Sequence, residues 1–132
     1  AQVTDYVAVH DVGKVINRMG IEGQLEGAIP MGIGYALFEG LHINESGVND
    51  VNNLVKYHIP HINEMPKMQV DFIEAGEPGG PFGAKSIGEA SVVPAAPAVM
   101  NAVVNALNVE INDLPYRWGG GVKNRDYYLE AK

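Results

Sequence analysis

A chain of 132 residues, 46% of them hydrophobic, has room for one core and can bury roughly two-thirds of its unfolded surface. Its 16 acids against 9 Lys plus Arg, a net charge of −7 with no basic stripe, repel a phosphate backbone and exclude nucleic acid as a partner. The absence of Cys rules out a disulfide, an iron–sulfur cluster or a thiolate zinc site on this chain, so any redox wiring must lie in a partner.

Gly and Pro break the apolar stretches well short of the roughly 18 residues a membrane span needs. The opening "AQVTDYVAVHDVG" lacks the basic and apolar regions of a signal peptide, and a cytoplasmic setting is expected. In the same opening, "VTDYVAVHDVG" alternates β-branched and aromatic residues and reads as a strand already under way. Such a start suggests a fragment or split subunit whose first strand pairs with a partner inside or outside the chain. "DVGKVINRMG" follows as a turn-bearing loop. Residues 21–39, "IEGQLEGAIPMGIGYALFE", are predicted to form a helix rich in small residues. Its interior glycines cost about 1 kcal/mol each relative to alanine, so packing or a ligand must compensate. Pro30 is expected to kink or break it.

"HINESGVNDVNN" reads as a polar turn region, and "LVKYHIP" and "MQVDFIEA" as short strands. A glycine-rich loop, "GPFGAKSIGEA", leads into an apolar helix whose prolines, 94 and 97, either confine the regular part to residues 96–107 or mark an irregular first turn. The last part, "NVEINDLPYRWGGGVKNRDYYLEAK", holds a short strand-like piece, and its polar end is expected to be a linker or docking arm. The expected class is α+β, with short strands and two main helices.

Three constellations could carry chemistry. A phosphate loop requires Lys directly after the last glycine, but Ala84 separates Gly83 from Lys85, so that reading fails. His58, His61 and Glu64 have ligand-like spacing, yet Pro60 lies between the histidines and argues against a helical face; solvated histidines are the expected reading, and no metal ligand is assigned. The glycine loop itself permits close approach of backbone to a bulky ligand. Glu89, read at the first turn of the following helix, has a simpler role as a charge that stabilises the helix dipole by about 0.3–1 kcal/mol.

Four blocks, "VAVHDVGKVIN", "EGQLEGAIPMGIGYALFEG", "NLVKYHIP" and "GPFGAKSIGEASVVPAAPAVMNAV", resemble in content and order the C-terminal part of the molybdenum-binding subunit of the xanthine dehydrogenase and aldehyde oxidase family. The resemblance implies that residues 1–115 are the C-terminal part of a larger molybdopterin-binding domain, with 116–132 a polar tail. It implies hydroxylation of a carbon in a purine such as xanthine, or in a related N-heterocycle, with water-derived oxygen. Glu89, after Lys85-Ser86-Ile87-Gly88, takes the family's general-base position, and Gln24 takes the position of the glutamine that contacts the cofactor. Lys85 and Gly88 are expected to line that cofactor. Ala90 departs from the proline many relatives carry after the glutamate.

The cofactor implied is molybdopterin with molybdenum, in its cytosine dinucleotide form. Iron–sulfur clusters and FAD on partner chains would take the electrons. The expected partners are the remaining molybdenum-subunit segments and those redox subunits in a hetero-oligomer, with the isolated chain inactive. The alternative is a non-catalytic assembly module in which Glu89 only caps a helix.

Overall fold

A computed structural model describes residues 1–108, 111 and 113–116. Strand β1 (Asp5–Asp11) is followed by helix α1 (Arg18–Ile33), strand β2 (Lys67–Ile73) and helix α2 (Ala95–Leu107). The architecture is α+β. β1 pairs with β2 in parallel, Ala8 opposite Val70 and His10 opposite Phe72, so the first strand finds its partner within the chain. Alternation along the strands turns Tyr6, Ala8, Val70 and Phe72 toward the helices.

α1 begins at Arg18, three residues before the expected start, because Asn17 is an N-cap whose side chain accepts the Gly20 amide at 3.0 Å. Ile21, Leu25, Ala28, Ile29, Gly32 and Ile33 recur at helical spacing and form its buried stripe. Pro30 does not break the helix; the chain continues to Ile33 and then widens into a π turn over Gly34–Phe38. Ile29, Ile33, Ala36 and Leu37 meet Ala96, Val99 and Met100 of α2 in the main core, with Ala8 of β1 below them. A Cβ on Gly32 would collide with Ala95, so this glycine sets how closely the two helices approach. A second cluster, Val12, Ile21 and Leu25, is joined by Phe72 and Ile87 and anchors the segment that leads to Glu89.

Two further expectations change. "LVKYHIP" is not a strand: Asn53 Oδ1 accepts the amides of Val55 and Lys56 at 3.0 and 3.1 Å and closes a turn over these residues, a local bond that competes with strand pairing. α2 starts at Ala95, after a turn-rich segment over 88–94. Glu89 therefore stands six residues before that helix and does not cap it. The expected strand-like piece and the tail lie almost wholly outside the described residues; Tyr116 donates its amide to the Ala36 carbonyl at 2.7 Å.

Candidate functional site

The glycine loop is tied down at both ends. Gly76 donates to Gly13 O at 2.9 Å, and Lys85 donates its amide to Val12 O at 2.9 Å. Gly13 has φ +70°, and a Cβ there would strike Gly83 O; only glycine gives both the left-handed backbone and the close approach. Asp11 adds a side-chain anchor. One carboxylate oxygen accepts the Gly13 amide at 2.9 Å and the other accepts from Lys85 Nζ. The hydrogen bond from Lys85, then that from Gly13, holds the Asp11 carboxyl below its usual range, and Asp11 in turn raises the Lys85 ammonium.

Beyond Lys85 the chain turns along α1. A Cβ on Gly88 would lie 3.5 Å from Gln24 Oε1, so the structure brings Gln24 and Gly88 together, with Glu89 next in the chain. Gln24 and Glu89 are both exposed. The segment after Gly88 is fixed by backbone and by one buried hydroxyl: Ser91 Oγ donates to Gly88 O at 2.7 Å and Val92 N to Glu89 O at 3.1 Å. Beside Gln24, a Cβ on Gly23 or Gly27 would meet nothing within 4 Å. Gly27, three residues from Gln24 and four from Gly23, shares a solvent-facing side of α1 with each, and the two glycines leave backbone bare next to an amide that can both donate and accept. Lys85 stands apart from this group, its ammonium committed to Asp11.

Asp11 and Ser91 were not singled out from the sequence. The Asp-x-Gly spacing of Asp11 and Gly13 is a local turn signal that could have indicated the first; for Ser91 the sequence holds no such signal.

His58, His61 and Glu64 converge at the far end of α1. His58 Nε2 lies 3.0 and 2.9 Å from the two Glu64 oxygens, and Glu64 Oε2 also accepts the His61 amide at 2.7 Å. That amide, followed by the His58 ring, holds the Glu64 carboxyl below its ordinary range. The two histidines are thus not both loosely solvated.

A family model for the molybdopterin cofactor-binding domain matches residues 1–66. The xanthine dehydrogenase molybdenum-binding subunit of Escherichia coli O157:H7 is 44% identical over 108 residues, 81% of this chain and 14% of that protein. The aldehyde oxidoreductase molybdenum-binding subunit of Escherichia coli (strain K12) is 32% identical over 116 residues, 86% of this chain and 16% of that protein. The crystal structure of quinoline 2-oxidoreductase from Pseudomonas putida 86 superimposes with a TM-score of 0.80 at 34% identity, over 86% of this chain and 15% of that one. The chain thus spans about one-seventh of the length of the curated relatives it matches.

Proposed function

Because the chain belongs to the molybdopterin cofactor-binding domains of the molybdenum hydroxylases, we propose that it acts as part of a molybdenum-binding subunit, contributing the catalytic base and one wall of the cofactor cradle. The residues present fit that wall. Gly23 and Gly27 leave a side of α1 onto which a bulky, flat group can pack against backbone, and Gln24 offers it an amide. Gly88, opposite Gln24, keeps the facing loop equally low.

When bound, the cofactor supplies the redox centre for hydroxylating an electron-poor carbon with oxygen derived from water. Gln24 holds it by hydrogen bonds, and Gly88 lines it through backbone. Lys85 serves it from behind, keeping the loop on β1 through Asp11. The Glu89 carboxylate takes the proton from the attacking oxygen, held in place by the Ser91 and Val92 bonds on either side of it. The observation that supports this reading is the proximity of Gly88 to Gln24 on the bare side of α1, where a Cβ on Gly88 would lie 3.5 Å from Gln24 Oε1, with Glu89 next in the chain.

For the substrate class, a purine or related N-heterocycle is the first choice. The 44% relative is named for xanthine and the structural neighbour for quinoline, whereas an aldehyde is supported at lower identity. With no cysteine on the chain, electrons leave to iron–sulfur and FAD-bearing partners in a cytoplasmic hetero-oligomer, the cofactor being the cytosine dinucleotide form. On this reading the isolated chain has no turnover of its own.

Glu89→Gln in the assembled enzyme tests the assignment. Removing the base is expected to lower kcat by about 10²–10⁴-fold with molybdenum content unchanged. Near-normal turnover with full molybdenum would instead make the chain a non-catalytic assembly module.

A further inference from the structure

We propose that His58, His61 and Glu64 form a binding site for a zinc-class divalent cation, separate from the molybdopterin wall. One ligand atom from each of these side chains can be chosen so that all lie within 4.8 Å of one another. Two imidazole nitrogens and a carboxylate oxygen are a donor set that zinc accepts, with a fourth position left for water or a further ligand. Donors about 2.0–2.2 Å from a tetrahedral ion stand roughly 3.4 Å apart, so small side-chain rotations close the site.

The loop holds the donors in advance. Pro60 and buried Pro66 flank the His61–Glu64 turn, and the Glu64 carboxylate is oriented by the His61 amide at 2.7 Å. The His58 ring packs edge-on against Phe38 at 5.0 Å and against the His61 ring at 5.0 Å. Oriented carboxylates and packed imidazoles are what fix the geometry of a metal's ligands. His58 and Glu64 are half-buried and His61 is exposed, which leaves an entry path on the His61 side.

The site is remote from the proposed chemistry. Phe38 follows Gln24 by fourteen positions, roughly 20 Å along a helical path at about 1.5 Å per residue. A cation here would brace the end of the π turn against the loop before β2. The assignment does not depend on the reading of Glu89.

The test uses the assembled enzyme, freed of loosely held metal with a chelator and titrated with Zn²⁺ against a chromophoric competitor. Co²⁺ serves as a spectroscopic probe of tetrahedral coordination. The wild type is expected to bind one more Zn²⁺ than His61→Ala or Glu64→Gln, each weakening that site at least about 100-fold. Glu64→Gln keeps an oxygen to accept the His61 amide, and unchanged molybdenum content reports that the fold survives; should that variant fail to assemble, exposed His61→Ala decides. Equal Zn²⁺ uptake by wild type and His61→Ala overturns the proposal, as does a wild type with no uptake at micromolar Zn²⁺.

Discussion

Asp11 shows how much one side chain can organise. It closes its own turn onto Gly13 and reaches across to Lys85, coupling the end of β1 to the loop that carries Gly88 and Glu89. Its folded pKa is depressed, so the pair's contribution is fully present above the ordinary aspartate value of about 3.9 and is lost as pH falls through the lower folded value. Lys85 is shifted upward, so on the alkaline side the contribution holds below about 10.4 and is lost as pH rises through the raised value. Hydrogen-exchange protection of residues 76–88 in the assembled enzyme is therefore expected to be level between about pH 4 and 10 and to fall beyond both limits. Asp11→Asn is expected to lower protection throughout that range and to remove the acid limb; unchanged protection in the variant would remove Asp11 from this role.

At the scale of elements, α1 carries two kinds of glycine that the sequence alone does not separate. Gly32 is where α2 crosses, and Gly23 faces open space. Gly32→Ala is expected to destabilise by about 1–3 kcal/mol through overpacking, read as a lower melting temperature. Gly23→Ala is expected to favour the helix by up to about 1 kcal/mol and yet lower the molybdenum and pterin content of the assembled enzyme, because the added methyl stands on the cofactor's surface. Full cofactor content in Gly23→Ala would contradict that placement.

Much of this level was legible in advance. Alternation marked β1, "MQVDFIEA" read as the short strand that forms β2, and small-residue and apolar stretches marked α1 and α2. Two of the changes share one cause, capture of backbone groups by nearby side chains: Asn17 starts α1 early, and Asn53 turns "LVKYHIP" away from a strand. The proposed wall was half legible. Glu89, Gln24 and Gly88 are candidates through the family resemblance of their motifs, but the proximity of Gln24 and Gly88, sixty-four positions apart, and the Asp11 anchor arise only from the way the chain packs.

The whole molecule carries surfaces that ask for cover. Val7 and Val9 on the outer side of β1 are 64% and 55% exposed, and Leu54, Val55, Ile59 and Ile62 are also exposed. Parallel sheets are normally buried on both faces, and exposed apolar patches mark interaction surfaces. Among the described residues no helix is long and apolar enough to cross a membrane, and relatives several times longer hold this stretch as about one-seventh of their length. The greater length of those relatives is the ground for expecting further molybdenum-subunit segments to cover these faces. That this chain forms part of a molybdopterin cradle is tested most directly by native mass spectrometry with metal analysis on the complex purified gently from its source. Molybdenum and a pterin dinucleotide are expected to travel with this chain and with larger redox partners; a metal-free protein with no partner chains would contradict that role.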